Sequence, residues 1–239
     1  MDARMASKVR PRKSKGRLKK WISILFGIVF LLPVALIMTF RFAPVPGTPQ
    51  MALGFFSEEG AHYSWREFDE IAPSLSSAVI AAEDQRFCSH HGFDWVSIDK
   101  AVKEHERGRR LRGASTISQQ AARSLFLIPV RSWLRKGAEA YLTVLMEALW
   151  PKKRILTAYL NLVDWGHGNY GAEAASQAYF HISAAHLSPT QSARLAAILP
   201  DPDDWNAKHP GPYVARRSAI LRSRLSVVHR DGLDMCVKH

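Results

Sequence analysis

The stretch Ala81-Ala82-Glu83-Asp84-Gln85-Arg86-Phe87-Cys88-Ser89-His90-His91-Gly92-Phe93-Asp94-Trp95 follows directly on the apolar run Ser77 to Ala82. It packs two adjacent carboxylates, an arginine, two histidines and three aromatics into fifteen residues, a helix end that presents charge. A helix over Ile71 to Phe87 buries Leu75, Val79 and Ala82 at three- and four-residue steps. Glu83 falls one step past that stripe, on the border between core and solvent. A carboxylate there is partly desolvated, which raises its basicity and lets it take a proton from a hydroxyl. An isolated Glu-Asp pair is more often a solvated helix end. Here Phe87, His90 and Gly92 follow at fixed steps, Gly92 breaking the helix, and that company points to a site.

Downstream, helix signals repeat and strand signals are nearly absent. Val96 to Arg107 is amphipathic and highly charged, and Gly108-Arg109-Arg110-Leu111-Arg112-Gly113 comes next. That run reads equally as a solvated basic loop or as a mobile loop beside an anionic ligand. In Gly113-Ala114-Ser115-Thr116-Ile117-Ser118-Gln119-Gln120, Thr116 and Gln119 fit a capping box that opens a helix through about Phe126. Its start offers hydroxyls, amides and free backbone N–H groups together, which suits a phosphate or a sugar. In Arg135-Lys136-Gly137-Ala138-Glu139 the charged residues share one edge of a helix beside the stripe Ala138, Tyr141, Leu142, Leu145, Ala148 and Leu149. Such spacing commonly makes a weak surface salt-bridge set. Its functional reading is a second carboxylate held between cations that bind a leaving phosphate.

Lys152 to Asn161 gives another helix, and Gly166, Gly168 and Gly171 a turn before a helix from about Ala172 to Phe180. Ser188-Pro189-Thr190-Gln191 starts the next helix with a serine cap and an early proline. It leads to Pro200-Asp201-Pro202-Asp203-Asp204-Trp205-Asn206, and Pro212 to Arg230 reads as a last, basic amphipathic helix.

Upstream, the net charge of +12 resolves by position: the first twenty residues carry +8 and the other 219 only +4. That placement argues against a nucleic-acid binder. Trp21 to Phe40 has no charge, and as a helix it reaches ~30 Å, the thickness of a bilayer's hydrocarbon core. Dense Lys/Arg on its amino side puts the N-terminus in the cytoplasm and the rest outside. Arg41-Phe42-Ala43-Pro44 is a poor cleavage site, so a retained anchor is favoured over a signal peptide. The expected organisation is a basic cytoplasmic tail over 1–20, a transmembrane helix over 21–40, an extended juxtamembrane linker over 41–52, a catalytic domain over 53–233 and a tail over 234–239. Phe55 to Trp65, the least regular part, could hold a short hairpin. Cys88 and Cys236 are expected as two free, partly buried thiols, and no Cys/His cluster has metal-ligand spacing.

The strings around Glu83, Ser115 and Glu139, with Lys152 to Asn161 and Pro200 to Asn206, occur in the order of the five signatures of the peptidoglycan glycosyltransferases. The chain resembles their monofunctional biosynthetic members from about Leu53 to Leu233. It departs at Arg123, Ser124 and Thr157, where lysine, asparagine and glutamate are usual. The resemblance implies an all-α, lysozyme-like fold in two lobes around a cleft near the membrane. It implies polymerisation of lipid II into β-1,4-linked glycan strands, with inversion and release of undecaprenyl pyrophosphate. Glu83 and Glu139 are the implied catalytic residues. Asp84, Phe87, His90, Ser115, Thr116, Gln119, Gln120, Arg123, Arg131, Arg135 and Lys136 are the implied substrate contacts. A divalent Mg or Mn on the substrate pyrophosphate is implied, with no organic cofactor. The implied partners are lipid II, the growing strand, the bilayer and other cell-wall synthesis or division proteins, in the cytoplasmic membrane with the domain on the periplasmic face. Two other classes compete: a membrane-anchored glycan-cleaving enzyme of the lysozyme kind, and a non-catalytic wall-synthesis scaffold. The cations at Arg123, Arg131, Arg135 and Lys136 argue against the first, and two intact glutamates against the second.

Overall fold

The computed structural model describes residues 14–108, 115–130 and 132–238. The chain enters as one continuous helix, α1 (Ser14–Phe26), a π-turn (Gly27–Leu31) and α2 (Leu32–Phe40). Its segment Lys19–Phe40 is long and apolar enough to cross a bilayer. Pro33 explains the π-turn, because it brings no N–H to the carbonyl one turn back. That carbonyl, Val29 O, instead accepts the Tyr141 hydroxyl at 3.1 Å.

After Phe40 the chain is extended only briefly. Thr48 caps a short helix, α3 (Pro49–Gly54), its Oγ1 accepting the Met51 N–H at 3.2 Å. Val45 is fully buried and its carbonyl accepts the Tyr63 hydroxyl at 2.5 Å, so the segment read as linker is fastened to the domain.

The hairpin expected in Phe55 to Trp65 does not form. Strand β1 (His62–Tyr63) pairs in parallel with β2 (Asn169–Tyr170), more than a hundred residues on. Parallel strands need such a crossover. The pairing depends on Gly168, whose φ is +70° and where a Cβ would lie 2.4 Å from Gly60 O.

The domain is helical, as expected. α4 (Pro73–Glu83) is shorter than the Ile71 to Phe87 helix read from the sequence. Pro73 sets its start, and Asp84 leaves the helical region at φ −156°, ψ 76°. It is buried from Leu75 through Ala81 on every face, whereas Ala82 is partly exposed. A single stripe underestimates it because other helices cover both sides.

Next come α5 (Trp95–Glu106), α6 (Ile117–Phe126), α7 (Trp133–Leu149) and α8 (Lys152–Leu162). Beyond β2 lie α9 (Gly171–Phe180), α10 (Pro189–Ile198) and α11 (Pro212–Arg230). α4 packs on α10 and α11, while α6 packs on α7 and α8. α8 is the innermost of the second group, buried without a break from Ile155 to Leu162.

The two cysteines are bridged rather than free: Cys88 is joined to Cys236, with 5.4 Å between their Cα atoms. A separation of 148 residues hid this, because proximity arises only when the turn Met235–Val237 folds back onto the loop after α4. Val237 and Asp234 are buried there.

Candidate active site

Glu83 is the last residue of α4, and its side chain retains 15% of its exposure. From α6, Gln120 Nε2 donates to Glu83 Oε2 at 3.0 Å. From α8, the Tyr159 hydroxyl donates to Gln120 Oε1 at 3.4 Å, which orients the amide. From α11, Arg217 Nη2 stands 3.8 Å from Glu83 Oε1. Four helices thus converge on one carboxylate. Burial pushes the Glu83 carboxyl above the usual glutamate range, against the Gln120 hydrogen bond and the Arg217 charge. Tyr159 is fully buried, and that burial, with Glu83 close by, holds its hydroxyl well above its ordinary value and therefore neutral.

Glu83 stands where two hollows meet. One, of about 760 Å³, is lined by Ser115, Gln120, Tyr213, Arg216, Arg217 and Arg224 besides Glu83. The other, of about 400 Å³, continues past Glu83 to Asp84, Arg86, Asp94 and Thr116. Ser115 lines both.

The rest of the first string builds the frame. Both oxygens of Asp84 lie 3.0 Å from His90 Nε2, and Asp84 Oδ2 also accepts the Ile117 N–H at 3.0 Å. This ties the end of α4 to the start of α6. The Thr116 hydroxyl donates to Gly92 O at 2.6 Å and accepts from the Gln119 N–H, while the Gln119 side chain caps the Thr116 N–H. Gly92 has φ +91°, and a Cβ there would meet Thr143 Cγ2 at 2.9 Å, so the loop can close only on glycine. Phe87 is fully buried under Lys152, whose Nζ lies 4.5 Å from the ring centroid. Phe87, His90 and Gln119 therefore line neither hollow. Read from the resemblance as substrate contacts, they hold the loop and the α6 start in place.

The third string forms its own cluster on α7. Glu139 is 1% exposed and is gripped by Arg135 Nη1 at 2.7 Å and by Lys136 Nζ. Lys136 keeps the most exposure of the three. The carboxylate fixes the spread of two cations, and the three line neither hollow around Glu83. Arg123, at the last turn of α6, is partly buried and its charge bears on both Glu83 and Tyr159. Arg131 and the run Arg109 to Ala114 lie outside the described residues.

Arg217 and Tyr159 were not legible as site residues. Both sit on helices recognised in the sequence, but 3.6-residue periodicity cannot tell which of the arginines Arg216, Arg217, Arg222 and Arg224 turns toward a carboxylate on another helix.

A partly desolvated carboxylate at the junction of two hollows, flanked by cations, suits proton abstraction from a hydroxyl in the presence of an anionic leaving group. Known proteins resemble the chain over most of its length. The chain is 48% identical to a biosynthetic peptidoglycan transglycosylase of Caulobacter vibrioides, over 92% of this chain and 96% of that one. It is 47% identical to the protein of the same name from Rhodospirillum centenum, over 92% and 95%. It is also 47% identical to that of Pseudomonas fluorescens, over 89% and 88%. Residues 50–225 match the Transglycosylase family model, a span that holds Glu83, Gln120, Glu139 and Arg217, and the chain belongs to that family.

Proposed function

We propose that this chain polymerises lipid II into β-1,4-linked peptidoglycan strands, transferring glycan with inversion and releasing undecaprenyl pyrophosphate. The observation that carries the reading is Glu83, a carboxylate made more basic by burial and open to two hollows that an acceptor and a donor could approach from either side. Glu83 takes the proton of the acceptor's 4-hydroxyl as the new bond to the donor's anomeric carbon forms. The electron pair of the broken bond leaves with the pyrophosphate. Arg123, Arg131, Arg135 and Lys136 offset the charge that grows there, with Glu139 holding the last two in position. Ser115, which lines both hollows, offers its hydroxyl to the sugars, while Thr116 and Gln120 hold the start of α6 and Glu83 in place.

The site carboxylates do not fit a protein-held metal centre. Glu83 is engaged by Gln120, Asp84 by His90 and the Ile117 N–H, and Glu139 by Arg135 and Lys136. Mg or Mn is proposed instead to travel with the substrate, whose pyrophosphate supplies hard oxygen ligands. The apolar N-terminal helix supports an anchor in the cytoplasmic membrane, with the basic tail inside and the domain on the periplasmic face. Other cell-wall synthesis or division proteins are proposed partners.

The test is incubation of the full chain with lipid II and Mg in detergent, then separation of the products. Lengthened glycan is expected. Its absence across several detergents and metals would overturn polymerisation, and shortening of preformed strands would indicate a cleaving enzyme.

A further inference from the structure

The two oxygens of Glu83 are held from different helices. Gln120 of α6 takes Oε2 at 3.0 Å, and Arg217 of α11 faces Oε1 at 3.8 Å. The first hold is itself braced by Tyr159 beneath the amide. The second has no comparable brace, but the Arg217 guanidinium is committed. Its side chain is 27% exposed, and its Nε is buried with no hydrogen-bond partner among the described residues. Among those residues Glu83 is its one carboxylate within ion-pair reach. A guanidinium keeps its charge at any working pH, and an opposite charge this close favours the ionised carboxylate.

Among the described residues, the other charges that bear on Glu83 act more weakly or in the opposite sense. Asp84 is adjacent and repels, and its own carboxylate is occupied by His90 and the Ile117 N–H. Arg123, from α6, acts more weakly than Arg217, and Tyr159, from α8, is neutral. Arg216 and Arg224 line the same hollow from α11 without an ion pair to Glu83.

We propose that Arg217 is a positioning residue for Glu83: from α11 it fixes the Oε1 edge of the carboxylate and supplies the charge that offsets its burial, while Gln120 aims the other edge. The role rests on the glycosyl-transfer reading above, in which Glu83 receives the acceptor's proton. It also makes the last helix part of the catalytic apparatus, since α11 sets how readily the end of α4 stays ionised. Because 3.8 Å exceeds hydrogen-bond length, the contact acts through charge and not through a shared proton.

The experiment compares the full chain with Arg217→Gln and Arg217→Lys, measuring kcat and KM for lipid II through the acid limb at fixed ionic strength. In parallel, the Glu83 carboxyl is titrated directly by ¹³C NMR, with Glu83→Gln identifying its resonance. Arg217→Gln should move the acid limb and the Glu83 titration upward together by roughly one to two pH units, with KM unchanged. Arg217→Lys should bring both most of the way back. A raised KM with an unmoved limb would assign Arg217 to a substrate anion and overturn the proposal. Loss of thermal stability alone, with both titrations unmoved, would overturn it in favour of packing. If the parent makes no polymer the glycosyl-transfer reading fails, while the carboxyl titration still reports the coupling between Arg217 and Glu83.

Discussion

The burial that suits Glu83 to the proposed role of base works against the fold. Its carboxyl is raised by burial, so the ionised form that accepts a proton is the form the folded chain holds less well. A carboxyl raised in the folded state contributes stability below its unfolded value, ~4.3, and loses that contribution as pH rises through its folded value. Glu83→Gln should therefore melt higher than the parent at neutral pH, and the gap should close in acid. The same substitution should lower turnover roughly 10²- to 10⁴-fold with little change in lipid II affinity, because the amide keeps the Gln120 contact but cannot take a proton. Equal turnover would remove Glu83 from the role of base. Arg123 offers a second test at this scale. If it meets the pyrophosphate, Arg123→Ala loses a charge-assisted contact worth roughly 1.5–3 kcal/mol, and Arg123→Lys recovers most of it. Initial rates against lipid II concentration decide this, and a neutral alanine would return Arg123 to an ordinary cation at a helix C-terminus. Glu83 was legible because a carboxylate one step past an apolar stripe marks a border. Arg217 was not, because nothing local in Pro212 to Arg230 records what faces it.

At the scale of elements, capping chemistry was the most readable feature. The Thr116–Gln119 and Ser188–Gln191 boxes both form where the sequence put them. They read well because each is complete within four residues. What failed was long-range: the hairpin gave way to a pairing between β1 and β2, and the two thiols to a bridge. The bridge matters for the site. It fastens the turn after α11 to the loop between Asp84 and His90, so the helix carrying Arg217 and the helix ending in Glu83 are covalently coupled at one end. Closing a loop of 148 residues should stabilise the fold by about 5 kcal/mol in the chain-entropy account. Urea unfolding of the parent, with and without reductant, should show that loss, and Cys88→Ser with Cys236→Ser should match the reduced parent. Unchanged midpoints would mean that the C-terminal turn holds its place by packing alone.

At the scale of the whole molecule, hydropathy ends the apolar helix at Phe40, yet the C-terminal end of that helix belongs to the domain's core. Ile37 is fully buried, and its carbonyl accepts the Trp150 indole N–H at 2.7 Å. Arg154 Nε donates to Phe40 O at 2.8 Å, and the same guanidinium reaches Ala43 O. Nearer the N-terminus, Tyr141 donates to Val29 O, so α7 also meets the apolar helix there. Composition could not reveal this, since an apolar residue reads alike whether it faces lipid or protein. Two truncations separate the uses. Removing residues 1–31 takes away most of the span but keeps Ile37 and Phe40. Removing residues 1–40 also opens the Ile37 site and leaves the Trp150 N–H without its acceptor. Losing a buried isoleucine costs about 2–5 kcal/mol, and an orphaned buried donor adds to that. The longer deletion should therefore unfold at a clearly lower denaturant concentration than the shorter one in the same detergent, and lose polymerisation with it. Identical midpoints would show that the helix end rests against the domain without supporting it, and that the anchor serves attachment alone.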